Sequence, residues 1–332
     1  MKTEQTKLQG NLIPQKILRS FLYQKQSLGL DAKITLAERS IHDFYEKMEG
    51  KVRIGFSGGK DSTVLLHLVR SLYPDVPAVF VDTGLEYPEI RDFVKTVDNV
   101  VWLKPEMPFK KVIETYGYPV ISKRIARMLR ILQNPSSENR ATRRLFVTGY
   151  KTCDGTTSES GISIVPKKWQ DLFLEGHKNF KDIDDVHVKA PFKISEQCCD
   201  VMKKNPSDKY DKEMGLYQYI GVMACDSGQR TTAILRKGCN SFEGKIQSRP
   251  LAFWLQDDIW AYIKRYKLDY SKIYNMGEKH TGCMFCMFGV HLDKCPNRFQ
   301  RMKKTHPKLY DYCINKLNLK EALSFLDVDY ET

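Results

Sequence analysis

The sequence predicts an α/β fold: a doubly wound, mostly parallel sheet with flanking helices, followed by a small C-terminal helical module that contains cysteines. Residues 52–66 present, in direct succession, a buried strand, a glycine turn and an amphipathic helix. Pro74 and Pro77 then end the helix before a second apolar strand at residues 78–82. A strand-helix-strand unit of this kind is almost always parallel and right-handed, and it is the building block of a doubly wound sheet.

Length and composition set the domain organisation that we expect. With 332 residues and 42% hydrophobic residues, the chain can fill one large domain or two modest ones. We found no internal repeat and no low-complexity segment. We predict a helical lead-in at residues 1–48, a main α/β domain at 49–265 with an insertion at about 134–186, and the C-terminal module at 266–332.

Apolar periodicity places the remaining elements. Apolar residues recur at helical spacing in four segments, and two further runs are apolar enough to be strands. Residues 134–186 lack a clear period, which is why we interpret them as an insertion. The predicted helices are 34–48, 109–116, 122–132 and 256–266, and the further strands are 100–103 and 217–224.

The turn after the first strand has the composition of a phosphate-binding loop. Its glycines let the backbone pass close to a ligand, and the next helix points its free N–H groups and positive dipole end at the turn. A lysine adds a mobile charge and two serines add hydroxyl donors. It is not a Walker loop, because Gly55 stands one residue too close and an aspartate follows the lysine. The six loop residues are Ser57, Gly58, Gly59, Lys60, Asp61 and Ser62.

Asp82 follows the second strand directly. Open α/β sheets place their ligand sites at the carboxyl ends of the strands, so we predict that Asp82 contacts a ligand or Mg²⁺. The alternative is that it caps the helix that follows.

The charge distribution favours a polyanionic partner or substrate. The formal net charge is +13, and eight basic residues stand against the single Glu138 between residues 121 and 151. Two interpretations remain open: a solvated face, or a groove for a nucleotide phosphate or for an RNA or DNA backbone. The eight residues are Lys123, Arg124, Arg127, Arg130, Arg140, Arg143, Arg144 and Lys151.

We expect a cytoplasmic protein that does not enter a membrane. No apolar run approaches the ~20 residues of a membrane span, and the first residues lack the apolar core of a signal peptide. Nine cysteines in a reducing compartment are poor disulfide candidates. Clustered cysteines there favour metal or redox chemistry.

Four cysteines form a candidate metal-binding set. Cys283 and Cys286 can reach one metal from a tight turn, and the vicinal Cys198 and Cys199 raise the number of thiolates to four. Four thiolates suit either a [4Fe–4S] cluster or a tetrahedral zinc ion. Two alternatives stay open: ordinary burial, or a local zinc-knuckle pattern. The knuckle would use Cys283, Cys286, His291 and Cys295, while Cys153, Cys225, Cys239 and Cys313 are isolated.

All six loop residues match the pyrophosphate loop of the adenine nucleotide alpha-hydrolase-like superfamily, whose members cleave ATP or bind phosphoadenosine phosphosulfate. Together with residues 81–89, the Cys198-Cys199 pair, residues 248–254 and the stretch around Cys283, the loop makes the chain resemble the phosphoadenosine-phosphosulfate reductase family. The resemblance runs from about residue 35 to the C-terminus.

The resemblance implies an adenine-nucleotide site and a [4Fe–4S] cluster. Adenylylsulfate reductases hold the cluster on a Cys-Cys pair and a later Cys-x2-Cys, which implies Cys198, Cys199, Cys283 and Cys286 as metal ligands here. It also implies ATP or phosphoadenosine phosphosulfate as the nucleotide, with Mg²⁺ accompanying ATP, and Lys60 and Asp61 as catalytic residues. The expected nucleotide-site residues are Ser57, Gly58, Gly59, Lys60, Asp61, Ser62, Asp82, Gly84, Arg230 and Arg249.

Three functions are compatible with this resemblance. Reductases of the family attack the sulfate sulfur with a cysteine in a C-terminal tail, and this sequence has no cysteine after Cys313. The first function is therefore a reductase that uses Cys225 as nucleophile and a thiol electron donor. The second is an ATP-dependent sulfur transferase acting on tRNA or DNA. The third is a nucleotide-binding regulatory subunit without turnover.

Overall fold

The structure is a computed structural model that describes residues 15–150 and 164–331, with side chains described from residue 17. The chain divides into two compact units whose segments alternate along the sequence. The domain boundaries predicted near residues 48 and 265 stay a prediction. The first unit contains Met1–Asp82, Tyr87–Leu103 and Ser207–His280, and the second contains Thr83–Glu86, Lys104–Pro206 and Thr281–Thr332.

The first unit is built on a six-stranded sheet in the order β3-β2-β1-β6-β8-β7. Every neighbouring pair is parallel except β7 and β8. This confirms the predicted α/β class with a mostly parallel sheet. The strands are β1 Val52–Gly55, β2 Ala78–Val81, β3 Val100–Leu103, β4 Leu174–Glu175, β5 His187–Val188, β6 Tyr217–Ile220, β7 Asn240–Ser241 and β8 Gln247–Ser248.

Helices flank the sheet of the first unit and are the main regular elements of the second. The described helices are α1 Gln15–Gln26, α2 Leu30–Lys47, α3 Lys60–Leu72, α4 Pro88–Lys95, α5 Phe109–Thr115, α6 Lys123–Gln133, α7 Arg140–Thr148, α8 Lys167–Phe173, α9 Asn205–Met214, α10 Gly228–Lys237, α11 Gln256–Tyr266, α12 Arg298–Thr305, α13 Pro307–Asp311 and α14 Leu319–Phe325. Among the described residues, no helix combines the length and apolar character that crossing a membrane requires.

Arg53, on the central strand β1, binds side chains of helix α9. Only 1% of Arg53 is exposed, and the Nε and Nη2 atoms of its guanidinium group have hydrogen-bond partners. Nε and Nη2 donate to the two carboxylate oxygens of Asp211, at 2.5 and 2.7 Å. Nη2 also donates to Ser207 Oγ at 2.5 Å and to Gln218 Oε1 at 3.2 Å. A buried charge with all its partners is tolerated, and losing one partner would be costly.

The segment predicted as an aperiodic insertion contains regular structure in the second unit. Residues 134–186 include α7, α8 and β4, and β4 pairs with β5 in an antiparallel ladder. The period was hidden because Arg143 occupies a buried position of α7 and is only 3% exposed. Its Nη2 donates to Asp184 Oδ1 at 2.6 Å and its Nε donates to Asn139 Oδ1 at 2.8 Å.

Some of the arginines in the basic stretch form ion pairs with carboxylates of the same unit. Arg130 donates to both oxygens of Glu196, at 2.9 and 3.0 Å, and Arg140 pairs with Asp182. Together with Arg143, these side chains form ion pairs within the second unit, and the groove interpretation of the stretch stays a prediction. Arg124 and Arg127 remain exposed on α6. Lys151, Cys153 and the lead-in residues 1–14 lie outside the described residues.

Replacing Arg143 by Ala is expected to destabilise the protein by about 1.5–3 kcal/mol, since it removes buried hydrogen bonds that involve a charged group. Urea denaturation followed by circular dichroism measures this. The matched control is Arg124→Ala on the exposed face of α6, which should shift stability by less than about 0.5 kcal/mol. Equal stability of both variants would contradict a structural role for Arg143.

Candidate functional site

The glycine loop, residues 57–62, joins β1 to α3 within the first unit. Gly58 has a φ of 70°, in the left-handed region that favours glycine. A Cβ atom at Gly58 would lie 2.7 Å from Val94 Cγ2 and 2.8 Å from Ile90 Cγ2. The loop is thus packed against α4, and no other residue type fits at this position without displacing that helix.

The two serines of the loop shape it. Ser62 Oγ donates to the carbonyl of Gly59 at 2.8 Å and accepts from the backbone N–H of Ser57 at 3.2 Å. The hydroxyl oxygens of Ser57 and Ser62 lie 3.1 Å apart. Since the Ser62 proton is used inside the loop, its hydroxyl holds the backbone in shape, and a direct contact of either serine with a ligand stays a prediction.

Lys60 is the charged group of the loop and is only 2% exposed. Its Nζ lies 2.8 Å from Asp61 Oδ1, so these side chains form an ion pair. Its backbone N–H, at the first residue of α3, donates to the hydroxyl of Tyr274 at 2.8 Å. Lys60 and Asp61 stand at the N-terminus of α3, an end of a helix that can bind an anion, and their catalytic roles stay a prediction.

The segment after β6 lies against the loop. A Cβ atom on Gly221 would stand 3.1 Å from the backbone oxygen of Asp61. Cys225 is exposed, and its thiol lies 3.5 Å from the backbone oxygen of Trp254. Burial raises the pKa of Cys225, and the carboxylates of Asp226 and Asp61 raise it further. The raised pKa disfavours the thiolate form of Cys225, and its predicted role as nucleophile stays a prediction.

Arg249 carries a buried cationic group at the carboxyl edge of the sheet. β8 pairs in parallel with β6, and Arg249 follows β8 directly. It is 6% exposed, and among the described residues its Nη1 has no hydrogen-bond partner. An unsatisfied buried guanidinium nitrogen is costly unless an anion or water meets it. Its predicted nucleotide contact therefore has a physical basis.

The other predicted nucleotide-site residues have partners or lie elsewhere. Asp82 is buried and accepts from Arg91 Nη2 at 2.8 Å. Arg230 pairs with Asp226. Gly84, with a φ of 72°, belongs to the second unit. Contacts of these three with a nucleotide stay predictions.

The second unit contains all four predicted metal ligands. Cys283 and Cys286 lie on one turn, closed by a bond from the N–H of Cys286 to the carbonyl of Cys283 at 3.0 Å. The N–H of Met284 donates to the carbonyl of Leu85 at 2.8 Å. Arg298 Nη1 donates to the carbonyl of Cys286 at 3.1 Å. These bonds fix the turn at both ends.

The four thiols interact electrostatically. The pKa of Cys199 is lowered to about 6, because Cys198 donates a hydrogen bond to it and because Lys123 lies nearby. The pKa of Cys198 is raised by the same bond, by burial and by the charges of the other three cysteines. Burial raises the pKa of Cys283 to about 11. Such mutual repulsion disfavours four free thiolates.

Lys203 and Glu86 were not predicted, and they complete this site. A π-helical turn, Asp200–Lys204, follows Cys199, and Lys203 Nζ lies 3.2 Å from Glu86 Oε1. Burial opposes the charge of Lys203, but Cys283 and Glu86 outweigh it and raise its pKa. Glu86 in turn accepts from the N–H of Thr83 at 3.0 Å. The only sequence signal was a lysine pair close to the cysteine pair.

Four cysteines in one unit are chemically the kind of donor set that a thiolate-held cluster uses, and a cluster on them stays a proposal. Cysteine sulfurs are the ligands of iron–sulfur clusters, and nearby cations offset their charge. Among the described residues, no three His, Cys, Asp or Glu side chains are arranged around a single metal position. The ring of His291 packs edge-on against Trp169 at 5.0 Å, and Cys295 is exposed and lies 3.6 Å from Gln300 Oε1. His291 Nδ1 is buried and has no hydrogen-bond partner among the described residues, so the zinc-knuckle alternative stays open.

The parallel sheet, with a glycine loop at the carboxyl end of its central strand and a buried lysine opening the next helix, defines an α/β protein of the phosphate-binding type. Residues 51–119 and 140–288 match the family model of the phosphoadenosine phosphosulfate reductase domain. The chain belongs to this family.

Relatives identified by sequence are distant. An adenosine 5'-phosphosulfate reductase from Staphylococcus epidermidis is 22% identical over 274 residues, which cover 80% of this chain and 83% of the relative. A protein of Methanocaldococcus jannaschii, named only as uncharacterized, is 25% identical over 281 residues, which cover 83% of this chain and 43% of the relative. The chain spans about half the length of this archaeal relative and of a second one from the same organism.

Two solved structures align with most of this chain, at low sequence identity. The phosphoadenylyl-sulfate reductase of Candida auris, in its phosphate complex, gives a TM-score of 0.40 at 14% identity, covering 82% of this chain and 97% of that chain. The U34-tRNA thiolase of Methanococcus maripaludis with its [4Fe-4S] cluster gives a TM-score of 0.36 at 12% identity, covering 88% and 80%.

Proposed function

We propose that this chain is a sulfonucleotide reductase that binds an adenine nucleotide at the glycine loop and holds a [4Fe–4S] cluster on four cysteines. The observation that carries the proposal is the loop itself: Gly58 fits only as glycine, and the buried Lys60 opens α3. The name of the staphylococcal relative supports the reductase among the members of the family. A reducing cytoplasm, which we propose as its location, would keep the thiols available.

In the first unit, the loop residues would bind and orient the nucleotide. The N–H groups at the start of α3 and the ammonium of Lys60 are placed to neutralise a phosphate, and Asp61 holds that ammonium until the ligand arrives. The unpartnered Nη1 of Arg249 offers a second cation at the same edge of the sheet. Charge-assisted contacts of this kind hold the leaving nucleotide in place while the sulfur reacts.

In the second unit, Cys198, Cys199, Cys283 and Cys286 would hold the cluster, and Lys123 and Lys203 would offset its negative charge. A [4Fe–4S] cluster supplies redox and electrostatic chemistry that its ligands and their hydrogen bonds set. Glu86 keeps Lys203 in place, and Arg298 keeps the Cys286 backbone in place.

The proposed reaction consumes two thiols. A donor thiolate attacks the sulfate sulfur, the bond from sulfur to the phosphate oxygen breaks, and the nucleotide leaves as AMP or as adenosine 3',5'-bisphosphate. A second thiol then releases sulfite and forms a disulfide. Since burial and the carboxylates of Asp226 and Asp61 raise the pKa of Cys225 and so disfavour its thiolate, we assign the first attack to an external dithiol donor, the thiol partner expected from sequence.

The products identify the reaction. We would incubate the anaerobically purified protein with a dithiol and either adenylylsulfate, phosphoadenosine phosphosulfate or ATP, and then quantify sulfite, nucleotide and pyrophosphate. Sulfite in equal amount to the released nucleotide supports the reductase. AMP and pyrophosphate from ATP would instead identify the ATP-dependent sulfur transferase, with tRNA or DNA as acceptors to be added next. Tight binding without either product would identify the regulatory subunit.

Replacing Lys60 by Ala is expected to weaken nucleotide binding by about 1.5–3 kcal/mol, roughly 10- to 150-fold, because a charge-assisted contact is lost. Isothermal titration calorimetry with ATP and phosphoadenosine phosphosulfate measures this. Lys51→Ala is the matched control, since Lys51 is exposed on the same segment and pairs with Glu49. Unchanged affinity of the Lys60 variant for both nucleotides would refute the proposed site.

A further inference from the structure

The hydroxyl of Tyr274 occupies a position that a phosphate oxygen would take at the glycine loop. The N–H of Lys60 is one of the first N–H groups of α3, which in a phosphate-binding loop face the anion. Here that N–H donates to the Tyr274 hydroxyl at 2.8 Å. Lys60 Nζ also lies 5.9 Å from the centre of the Tyr274 ring. One side chain therefore contacts both the backbone and the charged group of Lys60.

Tyr274 is held in this place by its surroundings in the first unit. Its ring meets Trp260 edge-on, with 5.5 Å between ring centres, and Trp260 meets Tyr270 in the same way at 5.3 Å. Tyr274 lies in a 3-10 helical turn, Lys272–Met276, whose neighbour Ile273 is only 1% exposed. Aromatic pairs in this geometry restrict the ring, so the contact with Lys60 is part of the packed structure.

The hydroxyl of Tyr274 would compete with a phosphate for the backbone N–H of Lys60. A phosphate oxygen and a tyrosine hydroxyl oxygen are both hydrogen-bond acceptors, and one N–H group directs its proton at one of them. A phosphate that reaches the start of α3 must displace the hydroxyl before it gains this bond. Breaking a bond that is already made cancels much of the gain from forming a new one.

We infer that Tyr274 sets the affinity of the glycine loop, because its hydroxyl competes with the phosphate of the bound nucleotide for the N–H of Lys60. This inference rests on the proposed function and adds a residue that no motif of the sequence indicated. Tyr274 thus lowers the affinity of the loop for the nucleotide.

Replacing Tyr274 by Phe removes the competing oxygen and keeps the ring. We expect Tyr274→Phe to bind inorganic pyrophosphate and ATP about 2- to 10-fold more tightly than the unmodified protein, as the worth of one neutral hydrogen bond implies. Calorimetry gives the affinities. The matched control is Tyr270→Phe, since Tyr270 packs on the same Trp260 and donates its hydroxyl to Asn275 Oδ1 at 3.2 Å; its affinities should stay unchanged.

Amide hydrogen exchange gives a readout that needs no ligand. Without nucleotide, exchange at Lys60 should be faster in Tyr274→Phe than in the unmodified protein, and unchanged in Tyr270→Phe. Equal or weaker ligand binding by Tyr274→Phe, while the unmodified protein binds, would overturn the inference and leave the proposed function intact. If the unmodified protein, Tyr274→Phe and Tyr270→Phe all fail to bind pyrophosphate and nucleotide, the proposed function fails together with this inference.

Discussion

We expect the unmodified protein, purified without oxygen, to be brown and to contain iron and acid-labile sulfide on the proposed cluster, and we expect Cys199→Ser protein to lose all three. Cys199 is the thiol of the four with the strongest thiolate character, since Cys198 donates to it and Lys123 lies nearby. A serine hydroxyl does not deprotonate near neutral pH, so one ligand of the cluster is lost. Metal analysis and visible absorbance measure the effect.

Cys295→Ser is the matched control for this experiment. Cys295 is exposed and lies outside the four-cysteine set, so its replacement should leave colour and iron unchanged. If the unmodified protein contains zinc and no iron, and Cys295→Ser releases that zinc while Cys199→Ser does not, the zinc-knuckle alternative replaces the cluster. Circular dichroism of both variants shows whether the fold is retained.

The second large effect is expected at Gly58. An alanine there would adopt a left-handed conformation at a cost of about 1–2 kcal/mol. Its Cβ would also press on Ile90 and Val94, and overpacking of this kind costs about 1–3 kcal/mol more. Relief of the clash requires the loop to move away from α4, which displaces the N–H groups at the start of α3. We therefore expect Gly58→Ala to be destabilised and to show no measurable nucleotide binding by calorimetry.

Gly215→Ala separates the two causes. Gly215 has a φ of 65°, but a Cβ there would meet nothing within 4 Å. This variant should lose only the part of the stability that the left-handed conformation costs an alanine, about 1–2 kcal/mol. It should bind nucleotide normally. Normal nucleotide binding by Gly58→Ala would show that the loop does not contact the phosphate.

The local elements near the loop were predictable because their signals are local. Helices α3 and α11 and strands β1, β2 and β3 coincide with the predicted segments to within a residue or two, since apolar periodicity and glycine or proline boundaries do not depend on distant residues. Strand β6 is shorter than predicted and ends at Ile220. The short strands β7 and β8 were missed, because two residues carry no detectable period.

Buried charged residues account for the main differences between the sequence-based predictions and the structure. Arg53 and Arg143 are charged residues that a sequence pattern assigns to the surface, yet both are buried. Arg53 pairs with the carboxylate of Asp211, and Arg143 pairs with that of Asp184. No pattern along the chain reveals such a partner, so a buried arginine looks like a surface residue. For this reason the basic stretch was interpreted either as a solvated face or as a phosphate or nucleic-acid groove, while three of its arginines are held in ion pairs.

The sequence by itself determined the fold class, the family and the glycine loop, because a run of six residues between a strand and a helix carries its own geometry. The tertiary structure decided which groups act on that loop and on the cysteines. Tyr274 reaches Lys60 across 214 positions of the chain, and Glu86 and Lys203 meet from separate segments. Such contacts follow from how the chain packs in space, because side-chain partners far apart in sequence are chosen by packing and burial.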